Sequence, residues 1–275
     1  MKNKGQPRVL HVDTGSGWRG GQRQSALLHQ GLLRNDIRSC FLCRSGSQLS
    51  RFFSERDLFH DTAPLSGELD MWSAGIARGL IRKYDLNIVQ AHTGDALSIA
   101  LAASLFSPEL RIIGVRRVNF PLRRNPFSRI KYRNRRLAAL VAISRAVGTR
   151  LHESGIKKEK IKIIHSGIET GKEADKGLGK AFRREQGIPE DHVVAGTVGA
   201  LKKNKGYLTL MRSAAEAIRK HPNLTFCAAG SGKDGDLFQK EAQRLQLGER
   251  FRFLGQVDHL KPFYSGIDLF VLPSR

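Results

Sequence analysis

The chain has 275 residues, 40% hydrophobic and 26% charged, enough for two domains at roughly 150 residues each. That is an ordinary globular mixture, which excludes a disordered or low-complexity protein. Its 47 Lys and Arg against 25 Asp and Glu leave a formal charge of +22, so a phosphate-bearing partner is expected, whether nucleic acid, anionic lipid or nucleotide.

The first apolar, β-rich run, Arg8 to Thr14, leads into "DTGSGWRGGQRQ", and helical spacing follows from Ser25 to Leu33. Gly15, Gly17 and Gly20 fit G-x-G-x-x-G between a strand and a helix. Glycines there let the backbone approach a ligand, and free N–H groups at the helix start favour an anion. Glycine-rich turns without a ligand are also common in α/β folds. The second strand, Ser39 to Arg44, contains Cys40-Phe-Leu-Cys43, although a redox C-x-x-C pair usually opens a helix. Cys40, Cys43 and Cys227 are too few for a disulfide scaffold, and no secretory segment stands at the N-terminus, so a cytoplasmic, reducing location is expected. A dinucleotide site would end this second strand in Asp or Glu, roughly 20 residues beyond the glycines. Arg44 stands there instead and suits a 2′-phosphate, which leaves an NADP-dependent oxidoreductase open as the alternative.

Helical spacing over Met71 to Lys83 precedes a strand from Leu86 to His92. His92 ends that strand, where catalytic side chains tend to sit, and Thr93 or Asp95 caps the helix that runs to Leu105. Asp13 and Thr14 end the first strand and face the same crevice on this reading. Strands follow at Arg111 to Arg117, Leu137 to Ser144 and Ile161 to Ser166, with a helix from Arg145 to Ser154. The longest apolar stretches, such as Leu137 to Ile143, fall far short of the ~18 residues of a membrane span.

Leu110 to His152 contains no Asp or Glu, while Lys and Arg recur through it with Phe120, Phe127 and Tyr132 interleaved. Arg116, Arg117, Arg123 and Arg124 are read as an acceptor-facing or membrane-facing surface for anionic head groups or phosphorylated sugars. A solvated basic face is the plain alternative. No nucleic-acid module accompanies the charge, so nucleic acid is not an expected partner.

From Ile168 to Arg184 the pattern lapses into "IETGKEADKGLGKAFRR", read as a linker. Strands then return at Val193 to Val198, Leu224 to Ala229, Phe251 to Leu254 and Leu269 to Leu272, with helices at Tyr207 to Lys220 and Asp236 to Leu245. The expected fold class is therefore α/β: a Rossmann-like domain over 1–167, a linker over 168–184, and a partial second domain over 185–275, both with mainly parallel sheets. In "VGALKKNKG", Gly199 permits a tight turn, Lys202, Lys203 and Lys205 cluster beside it, and Gly206 precedes a helix; this suits a diphosphate. Lysines solvated in a loop are the plain alternative. Gly230 and Ser231, at the end of the strand "LTFCAAG", suit the wall of a nucleotide pocket or a simple connector.

In order and spacing, "VLHVDTGSGWRGGQRQ", "LVAISRAVGTRLHESGI", "KIKIIHSGIE", "GTVGALKKNKG", "LTFCAAGSG", "FRFLGQV" and "YSGIDLFVLPSR" resemble retaining GT-B glycosyltransferases of the family 4 type. That family includes lipopolysaccharide-core and polysaccharide-building enzymes. The resemblance implies a nucleotide-sugar donor held by the C-terminal domain, a glycan or lipid-linked acceptor held by the N-terminal one, and reaction in the cleft between them. It implies that Gly20 and Gly21 approach the donor's phosphate and sugar, that His92 is the active-site histidine, and that Lys205 binds the diphosphate. The family often carries Arg where Ala200 stands, and Lys202 or Lys203 substitutes for it on this reading.

No D-x-D-like pair stands out, and neither a metal nor a cofactor is expected. Fixed cations and helix N–H groups suffice in principle to stabilise a departing diphosphate. Family members continue past "LPSR" with a glutamate-glycine segment and a helix bearing two glutamates. The expectation is a chain truncated within its C-terminal domain: a fragment of the transferase, or an inactive relic that binds anionic surfaces. A peripheral position on the inner face of the membrane accompanies this reading.

Overall fold

A computed structural model describes residues 5–105, 107–122, 126–168, 174–257 and 259–274. The chain divides into two compact units, Met1–Ile168 and Glu169–Arg275.

The first unit runs β1 (Val9–Asp13), α1 (Gly20–Arg34), β2 (Ser39–Arg44), α2 (Gln48–Ser54), β3 (Asp61–Ala63), α3 (Met71–Lys83), β4 (Ile88–Ala91), α4 (Gly94–Ala103), β5 (Arg111–Arg116), α5 (Pro126–Arg133), β6 (Leu137–Ala142), α6 (Arg145–Glu153) and β7 (Ile161–Ile163). Its strands form one parallel sheet in the order β3-β2-β1-β4-β5-β6-β7. β1 reads "VLHVD" and every residue of it is buried, as a central parallel strand covered on both faces requires. Side-chain caps set several helix starts: Asp70 accepts from the Ser73 N–H, Thr93 from Ala96 and Ser144 from Val147.

The strand order reverses between β1 and β4, and ligands of open α/β sheets bind beyond strand ends at such a point. β3 and α2 lie outside the sequence expectations. β3 is a three-residue edge strand beginning with Asp and Thr, and α2 spans only seven residues, both too short to show a period.

The second unit runs α7 (Lys176–Glu185), β8 (Val193–Val198), α8 (Tyr207–Lys220), β9 (Leu224–Ala229), α9 (Gly235–Arg244), β10 (Phe251–Gly255), α10 (Leu260–Gly266) and β11 (Leu269–Phe270). Its parallel sheet has the order β10-β9-β8-β11, so the reversal falls at β8. The linker expected through Arg184 is helical in its second half, where α7 is capped by Asp175. Gly179 serves contact: a Cβ there would overlap the Ser265 carbonyl, and one on Gly266 would overlap the Phe182 ring. Two glycines thus let α7 and α10 approach closely over Phe182 and Phe263. No described helix is long and apolar enough to cross a membrane.

Candidate functional site

In the first unit the reversal sets the ends of β1 and β4 side by side. His11 Nδ1 lies 3.0 Å from His92 Nε2, and Thr14 Oγ1 lies 2.7 Å from Thr93 Oγ1. Arg117, just beyond β5, donates through Nη1 to the His92 carbonyl and through Nη2 to His92 Nδ1, each at 3.0 Å. A guanidinium can only donate, so His92 Nδ1 accepts and the ring is assigned as the Nε2–H tautomer. That hydrogen faces His11 Nδ1 and leaves the proton of His11 on Nε2, a buried atom with no hydrogen-bond partner among the described residues.

Burial is the first cause holding His92 well below the usual histidine range, with His11 and Arg117 acting in the same direction. Burial, reinforced by His29, pushes His11 down to about 3. Burial likewise pushes His29 down to about 4, while its Nδ1 lies 2.7 Å from Ser39 Oγ. All three imidazoles are therefore neutral at neutral pH. The His11 ring packs against both Phe41 and His92, with centroids 5.5 and 5.2 Å away, and those two rings lie 6.1 Å from each other.

Asp13 is fully buried and organises the glycine turn. Its Oδ1 accepts from the Gly15 N–H at 2.9 Å and from Gln22 Nε2 at 3.1 Å, and its Oδ2 accepts from Ser25 Oγ at 3.2 Å. A Cβ on Gly15 would meet the Gln22 amide and displace that side chain from Asp13. Gly20 and Gly21 open α1, and the N-cap Arg19 supplies no side-chain hydrogen bond. A Cβ on Gly21 would stand 3.4 Å from Arg117 Cδ. Arg117 thus brings His92 and the turn that holds Gly20 and Gly21 together, with Asp13 and His11 beside them.

The basic run is less superficial than its composition suggests. Arg116 and Arg117 are half-buried rather than exposed: Arg117 turns in to His92, and Arg116 donates to the Phe120 carbonyl at 2.7 Å. Lys131 is buried, bonding Glu68 Oε1 at 2.9 Å and the Gly94 carbonyl at 3.2 Å. Charge counting cannot register which cations fold inward. Arg123 and Arg124 lie outside the described residues. Cys40 and Cys43 are buried in β2, and burial raises their thiols to about 11 and about 12, which leaves little thiolate for redox work.

The second unit builds its turn from backbone. The Gly199 N–H donates to the Ala229 carbonyl at 2.9 Å, Tyr207 Oη donates to the Gly199 carbonyl at 2.8 Å, and the Leu201 N–H donates to the Ser231 carbonyl at 3.1 Å. Gly230 has φ +140°, and a Cβ on it would overlap the Gly199 carbonyl oxygen. The Lys203 N–H donates to Asp234 Oδ2 at 2.9 Å. Gly206, at φ +74°, is the N-cap of α8 without a side-chain bond, so the first turn of that helix keeps uncapped N–H groups. Gly199, Gly230, Ser231 and Lys203 are therefore one cluster, and Lys203 and Lys205 are both exposed beside the start of α8. Sequence reading missed Tyr207 and Asp234, whose only signal is their place just after each glycine turn.

Residues 18–172 match the model of Glycosyltransferase Family 4, and residues 180–275 match that of Glycosyl transferases group 1. The lipopolysaccharide core biosynthesis glycosyltransferase LpsE of Rhizobium meliloti is 28% identical over 135 residues, which are 49% of this chain and 37% of that protein. The structure of Anabaena Alr3699/HepE in complex with UDP and glucose superposes with a TM-score of 0.76 at 20% identity, covering 98% of this chain and 74% of that one. A glycosyltransferase of Rickettsia africae does so with a TM-score of 0.80 at 16% identity, covering 98% and 73%. This chain thus spans only part of each relative. The structural likenesses give the GT-B fold, and the oxidoreductase alternative is set aside because both matched families are glycosyltransferases. With its match running over more than half of its length, the chain belongs to Glycosyltransferase Family 4.

Proposed function

We propose that this chain moves a sugar from a nucleotide-sugar to a glycan or lipid-linked acceptor of the cell envelope, with retention of configuration. The observation that carries this reading is the presence of two different turns, each at its own strand-order reversal: the Asp13-organised glycine turn and the lysine-bearing Gly199–Gly206 turn. A single dinucleotide site has no use for the second. The Anabaena structure holds UDP and glucose, which makes a UDP-sugar the first donor to test.

On this reading the second unit takes the diphosphate. Charge builds on the departing oxygens as the glycosidic bond breaks, and Lys203, Lys205 and the uncapped N–H groups of α8 are placed to stabilise it without reorganising. The acceptor hydroxyl attacks from the face the diphosphate leaves, and a departing phosphate oxygen takes its proton. No metal is assigned a step.

The acceptor side belongs to the first unit. Leu69, Met71, Trp72, Phe120 and Ile130 are exposed, and the Glu68–Lys131 ion pair ties the segment before α3 to α5. Exposed apolar side chains within a basic region suit a lipid-linked acceptor at an anionic membrane surface, and hence a peripheral position on its cytoplasmic face. The likeness to LpsE favours lipopolysaccharide-type glycans.

Incubation with a panel of nucleotide-sugars, each with lipid-linked and soluble acceptors, tests this proposal. Transfer to a lipid-linked acceptor with the donor's anomeric configuration, read by proton NMR of the product, is expected. Inversion, or transfer to soluble small molecules alone, would overturn it.

A further inference from the structure

We propose that Arg117 and His11 are positioning residues that lock His92 in its neutral Nε2–H tautomer, so that His92 anchors a guanidinium beside the Gly20–Gly21 turn and exchanges no proton with an acceptor. The inference rests on the transferase reading of this site.

Two donors of one guanidinium grip one residue: Nη1 the His92 carbonyl and Nη2 its ring Nδ1. This bidentate hold fixes the plane of the guanidinium and the rotation of the imidazole together. A ring flip would set carbon atoms against both Arg117 and His11 and lose both ring bonds. Protonating His92 at Nδ1 would set N–H against N–H at 3.0 Å. Protonating His11 at Nδ1 would do the same against His92 Nε2, also at 3.0 Å. Each partner therefore forbids the imidazolium.

A histidine that serves as a general base has the opposite surroundings. There a carboxylate accepts from Nδ1–H, fixes the tautomer and stabilises the cation that forms. Here a cation occupies the position of that carboxylate. The charged and titratable groups facing the three rings are Arg117 beyond β5 against His92, His29 on α1 against His11, and His60 against His29, while Asp13 on β1 faces Arg117. Asp13 is already committed to Gly15, Gln22 and Ser25. What His92 delivers instead is shape: Arg117 Cδ stands 3.4 Å from where a Cβ on Gly21 would lie. The guanidinium is thus the floor of the turn at the head of α1.

Ring ¹⁵N NMR of the full chain between pH 5 and 8 tests this directly. His92 and His11 are expected as Nε2–H tautomers that do not titrate, and Arg117→Ala is expected to release His92 into a tautomer mixture. A His92 signal that titrates in this range, an Nδ1–H tautomer, or a tautomer unchanged in Arg117→Ala would each overturn the proposal. Should Arg117→Ala fail to fold, the native spectrum still decides.

Substitution at His92 supplies the kinetic readout. Asn can still accept from Arg117 but cannot take up a proton. His92→Asn should lose about tenfold in kcat/KM and His92→Ala about a hundredfold, as expected for a misplaced site; equal losses would overturn the assignment. The spectra need neither donor nor acceptor, so they stand even if no sugar transfer is found.

Discussion

The two strand-order reversals hold their turns in opposite ways. At β1/β4 the turn hangs from buried side chains: Asp13 gathers Gly15, Gln22 and Ser25, while Arg117, His92 and His11 form a chain beneath Gly21. At β8 the turn is backbone against backbone, with Gly230 pressed on Gly199, and its charged side chains Lys203 and Lys205 reach solvent. The difference matches the two tasks proposed. A turn that must hold a fixed shape benefits from buried polar groups bonded to one another, whereas a turn that meets a diphosphate needs its cations unspent.

Substitutions should expose this contrast, the largest effect first. Asp13→Ala removes the partner of the part-buried Gly15 N–H and Gln22 amide, while Ser25 Oγ keeps its bond to the Gln22 carbonyl, and should cost about 3 kcal/mol of the first unit's stability. Gly230→Ala forces both a left-handed backbone and an overlap with a carbonyl in the second unit, and should cost about 3 kcal/mol. Hydrogen exchange of β1 and β4 amides against β8 and β9 amides in denaturant reads each loss by unit. Equal loss of protection in both units from either change would break the comparison.

Acid should act unevenly as well. Unfolded His11, His29 and His92 take up protons as pH falls through about 6.5. Folded His29 resists to about 4 and His11 to about 3. Between these limits the unfolded state binds more protons, so stability falls with acid, by about 1.4 kcal/mol per pH unit for each histidine, and these groups contribute no pH dependence well above 6.5. Protection in the first unit should drop on going from pH 7 to pH 5; a flat profile would contradict the neutral histidine chain. The smallest expected change in stability is that of Lys203→Ala with Lys205→Ala, within about 0.5 kcal/mol, alongside about a tenfold loss of nucleoside diphosphate affinity measured by calorimetry.

Much of the fold was legible because parallel strands buried on both faces read as continuous apolar runs: β2, β8 and β9 have the bounds expected of them, as do α3 and α8. Short or polar elements were not legible, β3 and α2 for want of length and α7 because it lies in a polar, glycine-containing stretch where Gly179 serves close packing against α10. The site followed the same division. Gly20, Gly199 and Lys203 stand in turns whose pattern is local. Arg117 was read as surface because a run of cations shows charge but not which side chain folds inward. His11 passed unnoticed as one polar residue in an apolar strand, although that placement, with all five positions of β1 buried, is its signal.

The most direct test of a donor site in the second unit is amide hydrogen exchange of the intact chain with and without UDP. New protection concentrated over Gly199–Gly206 and Gly230–Gly232 is the expected result. Protection confined to Gly15–Gly21, or none at UDP concentrations that saturate binding, would contradict it.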